Sequence, residues 1–184
     1  MDTVAYLSRA DFRAWAEQQP HGRYERVGGR VVQMTPERSA HALLKAAVWR
    51  ALDDAVRAGG LDCQAYPDGM TVEVGEDTDY EPDALVNAGP PLGPDDVAVP
   101  NPVVVVEVLS PGTRSIDTGE KLAGYFRVPS IQYYLIVSAR RREVVHYRRA
   151  DAAIIATVLT EGEIALDPPG ISIALDAIYR GVGL

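Results

Sequence analysis

The order of elements in this chain predicts an α/β (α+β) fold, a central mixed β-sheet flanked by helices, and three observations carry that expectation. The run from Pro102 to Leu109, PVVVVEVL, is β-branched, bounded by Pro102 and Pro111, and too short for an independent helix, so it reads as a buried central strand. Ahead of it, Leu43, Leu44, Ala47, Val48, Ala51, Leu52 and Ala55 recur at helical spacing up to Gly59-Gly60. Behind it, a shorter helical pattern is followed by more strand runs, an interleaving that packs helices on a sheet.

Taken in order, Ser8 with Asp11 three residues on resembles a capping box, and Phe12 and Trp15 give a short helix ending before Pro20 an apolar face. Arg23 to Val27 and Arg30 to Met34 flank Gly28-Gly29, a two-residue hairpin turn whose central positions need positive φ. Thr35 is expected to cap the long helix, with Pro36 at its first position. Leu61 to Tyr66 and Met70 to Val74 read as strands, Gly75 to Asp79 as an acidic loop, and Ala84 to Val86 as a short apolar run. The five prolines from Asn87 to Pro102 mark a surface loop. Thr113 or Ser115 starts a third helix carrying Leu122, Tyr125 and Phe126 and ending at Val128-Pro129. Ile131 to Val137 pairs with Glu143 to Tyr147, Ile154 to Leu159 adds a strand, and Leu175 to Tyr179 closes as a short helix. With no repeat or linker, residues 1–184 read as one domain.

Composition narrows the function classes. The chain is 184 residues long, 47% hydrophobic and 24% charged, enough for one real core. Its net charge of −8 argues against a non-specific nucleic-acid coat, which works by neutralising phosphates, and leaves Arg140, Arg141, Arg142, Arg148 and Arg149 as the place for a local basic patch. The single Cys63 excludes an intrachain disulfide and a cysteine zinc site, in keeping with a reducing, cytoplasmic setting. No apolar run approaches the ~20 residues of a membrane span.

Glu107 is the functional lead. A carboxylate inside a hydrophobic strand costs several kcal/mol by order of magnitude unless it is paired, protonated or bound to a metal. Pairing of the segment after Asp83 with the central strand, parallel or antiparallel, would bring both acids to one sheet edge. Two carboxylates with waters suit Mg²⁺, with Mn²⁺ as a substitute, whereas His21, His41 and His146 have no ligand spacing for zinc. Asp117 and Lys121 stand four apart on one helix face, and a lysine near bound phosphate can orient water and offset growing charge.

Tyr24-Glu25, Ser39-Ala40-His41, Glu81-Pro82-Asp83, Val106-Glu107-Val108-Leu109-Ser110-Pro111, Asp117, Lys121, Tyr125 and Tyr133-Tyr134-Leu135-Ile136-Val137 together resemble the Uma-two family of restriction-endonuclease-like proteins. The resemblance covers roughly Leu7 to Tyr179 and places the chain near the PD-(D/E)XK nuclease superfamily. It implies a restriction-endonuclease-like core, a Mg-dependent endodeoxyribonuclease activity and a DNA substrate. It also implies that Asp83 and Glu107 are metal ligands, that the Val108 carbonyl is a third, and that Glu25 is an additional acid. The superfamily pattern puts a lysine where this chain has Leu109, so Lys121 is expected to substitute from the helix. A double-strand cut by one acidic site per chain asks for a homodimer.

Plainer readings stand beside these. Asp83 after Pro82 suits a turn, Glu107 could pair with Arg127, and Lys121 with Asp117 suits a solvated helix pair. His41 reads as a polar group at a helix start, the tyrosines as core aromatics, and the arginines at 140–142 as a hairpin tip. A nuclease-fold module that binds without turnover is the alternative function, favoured by Leu109 and the acidic net charge.

Overall fold

A computed structural model describes residues 6–34, 37–109 and 117–182, with side chains in the last segment from residue 119 onward. Helix α1 (Arg9–Glu17) starts at Ser8, whose Oγ accepts the Asp11 N–H at 3.2 Å. Strands β1 (Tyr24–Val27) and β2 (Arg30–Gln33) form the expected hairpin, with Gly28 and Gly29 at φ +54° and +74°. Helix α2 (Ser39–Gly59) stops where its apolar periodicity stops. Thr35 and Pro36 lie outside the described residues, but α2 begins at Ser39 with extended Arg38 ahead of it, so the helix starts later than the expected Thr35 cap and Pro36 first position. The expected starts of the third helix, Thr113 and Ser115, lie outside the described residues.

Strands β3 (Cys63–Pro67), β4 (Val72–Val74), β5 (Thr78–Tyr80) and β6 (Ala84–Ala88) lead to the central strand β7 (Pro102–Leu109). Helix α3 (Asp117–Tyr125) carries the chain to β8 (Tyr133–Ser138), which lies parallel to β7 with Glu107 opposite Ile136. Strands β9 (Val144–Ala150) and β10 (Ala153–Leu159) then form a hairpin, β11 (Glu163–Leu166) and β12 (Ile171–Ala174) a second one, and α4 (Leu175–Tyr179) follows. The main sheet has the order β10-β9-β8-β7-β6-β3 and is mixed, since β7 and β8 alone run parallel within it. A second sheet has the order β2-β1-β5-β4.

The alternation of β7 organises both layers. Val104, Val106 and Val108 pack against Leu44, Val48 and Leu52 of α2, while Val105 packs with Tyr125, Tyr134 and Ile136 on the α3 side. Fully burying a valine stabilises by roughly 1.5–3 kcal/mol, so this run fixes β7 at the centre strongly enough to carry one acid.

Two expectations are corrected. The acidic stretch from Gly75 to Asp79 is not all loop, because Thr78 begins β5 and Asp79 is buried, its Oδ2 accepting from Arg26 Nε at 2.6 Å and its Oδ1 from Arg9 Nε at 2.6 Å. The β11–β12 hairpin, unforeseen, covers the α2 side of the core with Ile164, Leu166, Ile171 and Ile173.

Candidate active site

Two acid–lysine groups meet the end of β7, one from each helix. Asp83 precedes β6, which pairs antiparallel with β7. Its N–H donates to the Val106 carbonyl at 2.9 Å, and its Oδ2 accepts the Val108 N–H at 2.6 Å. Those two bonds extend the ladder by one step and pin the carboxylate to the main chain of β7. The other oxygen, Oδ1, takes Lys45 of α2 at 2.8 Å. The same ammonium contacts the carboxylates of Asp68 and Glu37. Arg23 backs the group, bonding Asp68 at 2.5 Å and Glu81 at 2.9 Å. His41, one turn before Lys45, places Nε2 2.5 Å from the Val108 carbonyl oxygen, a role as a polar anchor near the helix start.

Glu107 projects from β7 toward α3 and is buried, as Lys121 is. Lys121 Nζ donates to Glu107 Oε1 at 3.0 Å and to Glu25 Oε1 at 2.9 Å. Tyr125, one turn further along α3, donates its hydroxyl to the same Glu107 oxygen at 2.6 Å. Glu25 comes from β1 in the second sheet and is fixed by the Glu81 N–H at 2.9 Å. The ring of Tyr80 lies 5.2 Å from Lys121 Nζ, close enough for a cation–π contact. Glu107 is thus partnered by Lys121 and Tyr125 rather than by Arg127, and Lys121 is no solvated surface lysine. The side chain of Asp117 lies outside those described.

Burial is the main force on these groups. It pushes the Glu107 carboxyl up to about 7, against the pull of Lys121, while the charges of Asp83 and Glu25 push the same way and the Tyr125 hydrogen bond resists. Asp83 and Glu107 therefore feel one another. The Tyr125 phenol is raised well above its usual value by burial and by Glu107 and Glu25, so it keeps the proton it donates. Burial alone would lower Lys45, but Asp83 first, then Asp68 and Glu37, raise it, and it stays an ammonium.

The sequence profile of the Uma2 family, described as "Putative restriction endonuclease", matches residues 9–177. The chain belongs to the Uma2 family. Among its relatives, an uncharacterized protein of Synechocystis sp. is 27% identical over 179 residues, covering 96% of this chain and 93% of the relative. A second uncharacterized protein of the same organism is 26% identical over 150 residues, covering 80% and 83%. A crystal structure from Anabaena variabilis, titled as "a putative nuclease belonging to DUF820", superposes with a TM-score of 0.72 at 13% identity, covering 96% of this chain and 99% of the other. That likeness establishes a shared fold, with its central mixed sheet and flanking helices.

In this Uma2 chain the donor chemistry fits a hard divalent cation. Asp83, Glu107 and the Val108 carbonyl all offer oxygen; Asp83 already accepts from Lys45 and the Val108 N–H, the Val108 carbonyl lies against His41 Nε2, and the hydrogen bonds of Lys121 and Tyr125 on Glu107 both fall on Oε1. Among the described residues, Glu37, Asp68 and Asp83 also place carboxylate oxygens within 4.8 Å of one another, with the Lys45 ammonium bound to all three.

Sequence reasoning missed Lys45, Asp68, Glu37 and the support from Tyr80. One signal was present: Lys45 falls on the apolar stripe of α2, in line with His41, Val48 and Leu52. A lysine on a buried helix face asks for a carboxylate, as Glu107 in a strand asks for a cation.

Proposed function

We propose that this Uma2 chain is a metal-dependent endonuclease that hydrolyses phosphodiester bonds in DNA, with Asp83, Glu107 and the Val108 carbonyl holding Mg²⁺ or Mn²⁺. The observation that carries the reading is the buried Lys121 ammonium between Glu107 and Glu25, which stands in for the lysine absent at Leu109. Family membership and the shared nuclease fold support it. The lone Cys63 suits a reducing compartment such as the cytoplasm.

Asp83 and Glu107 would hold the divalent cation, whose chemistry would be to supply positive charge near the scissile phosphate and to lower the pKa of a water. Lys121 orients the attacking water and offsets the charge that grows on the phosphoryl oxygens. Glu25 holds that ammonium in place through Oε1. Tyr125 fixes Glu107 Oε1 and so presents the other carboxylate oxygen. Asp83 is set by the Val108 N–H and by Lys45, which also limits the negative charge built up at the site.

Lys45 on Asp83 Oδ1 is the observation that favours the second reading, a nuclease-fold module whose own ammonium takes the place of a cation. Supercoiled plasmid with Mg²⁺ or Mn²⁺ separates them. Wild type is expected to yield nicked circles, and Asp83→Ala and Lys121→Ala to lose about 10²–10³-fold in rate. Nicking undiminished in both variants would overturn the assignment, and no calorimetric divalent binding would leave the module reading.

A further inference from the structure

The main sheet ends on β10, and its outer edge has no partner strand among the described residues. Such an edge presents a row of main-chain N–H and C=O groups, and proteins usually blunt it with charge, proline, a bulge or a covering element. The opposite edge is treated in that way: β3 is short, ends in Pro67, and its Ala65 carbonyl takes the Trp49 indole N–H at 3.3 Å. β10 has none of these devices. It runs for seven residues in unbroken register with β9, and every residue from Ala152 to Thr160 is uncharged. Its apolar side chains are exposed on both faces, Ile154 and Ile155 at 43% and Val158 at 60%.

We propose that β10 pairs antiparallel with β10 of a second copy about a two-fold axis, joining two six-stranded sheets into one. The occupant is a strand because the unmet groups are a strand's hydrogen-bonding edge, and nucleic acid is unsuited because the stretch holds no lysine or arginine. It is a second copy because two chains of net charge −8 repel, and this neutral stretch lets them meet with no like charges opposed in the paired strands. The strand is also its own complement. Centred on Ala156, the pairing sets Ile154 against Val158, Ile155 against Thr157 and Ala153 against Leu159, cross-strand pairs of the kind that stabilise sheets. The surface is independent of whether the acid site turns over. It gives the homodimer expected from the sequence a location; the arginine hairpin tip is a poorer one, since Arg141 and Arg142 are already paired with Glu143 and Asp176.

Sedimentation of the full chain at micromolar concentration is expected to give twice the 19.9 kDa chain mass. Val158→Lys, at an exposed position, should return it to the single-chain mass with an unchanged circular-dichroism spectrum. In a Cys63→Ser background, Ala156→Cys should oxidise to a covalent dimer, since directly opposed strand residues lie within disulfide range, whereas Glu161→Cys beyond the strand should not. A single-chain mass for the wild type overturns the proposal. So does a dimer that survives Val158→Lys and leaves Ala156→Cys unlinked, which would place the contact elsewhere.

Discussion

Glu107 is a carboxyl group set among valines, and its protonation is tied to folding. Its folded value of about 7 lies above its ordinary 4.5, mainly through burial. Below 4.5 the group is protonated in both the folded and unfolded chain, so it imposes no penalty. Between 4.5 and about 7 the folded chain holds the proton that the unfolded chain has released, and stability falls as pH rises. Above 7 the loss is complete, at most about 3–4 kcal/mol at 1.36 kcal/mol per pH unit. Urea denaturation in chelator, on either side of that window, is therefore expected to show wild type losing stability relative to Glu107→Gln as pH rises. Parallel curves for the two proteins would mean that Lys121 and Tyr125 compensate the buried charge in full.

Helix α3 places Lys121, Gly124 and Tyr125 three and four residues apart, hence on one face toward β7. Gly124 is there because a Cβ would stand 2.7 Å from the Tyr80 ring, and Tyr80 is buried with no room to swing away. Gly124→Ala would gain about 1 kcal/mol of helix propensity but lose about 1–3 kcal/mol to overpacking. The expected result is a lower Tm. Nicking should fall further than folding does, because Tyr80 packs beneath the Lys121 ammonium. An unchanged Tm would show that α3 has slack against the second sheet. Local pattern made α2, β7 and the Gly28-Gly29 hairpin readable in the sequence, because each announces itself through its own period or turn residues. β5 was not readable, since Asp79 looks like a loop acid until Arg9 and Arg26 arrive from α1 and β1 to pair with it. That Lys121 lies beside Glu107 was legible, because the helix begins a few residues after the central strand and Leu109 left a lysine missing nearby. For Lys45 the buried stripe of α2 was a signal that a partner was needed, but which one was not readable, because Asp68 and Asp83 are joined to it only by the folding of the sheet. The antiparallel sense of β6 on β7, which pins Asp83 to Val108, likewise depends on chain topology that no local spacing encodes.

At the scale of the whole molecule, charge limits how DNA can approach. The chain is −8 overall, and of the arginines that the sequence offered as a phosphate track, Arg141, Arg142 and Arg149 have partners within the fold. Arg141 pairs with Glu143 at 2.7 Å and Arg142 with Asp176, while Arg149 donates to the carbonyls of Ile131, Phe126 and Val128. Arg23 is held by Asp68 and Glu81, and around the end of β7 the carboxylates outnumber the lysines. Under the proposed function a phosphate would meet a site of its own sign, and a divalent ion would reverse it. Fluorescence anisotropy with a labelled duplex is expected to detect binding in Ca²⁺, which satisfies oxygen ligands, and none in chelator. Each phosphate neutralised by a protein cation contributes about −0.9 to the slope of log K against log salt, so with recognition routed through a bound cation the slope should stay shallow, about −3 or smaller in magnitude. Tight binding in chelator with a steep slope would reveal a basic track on another face and remove the acid site from its place at the centre of recognition.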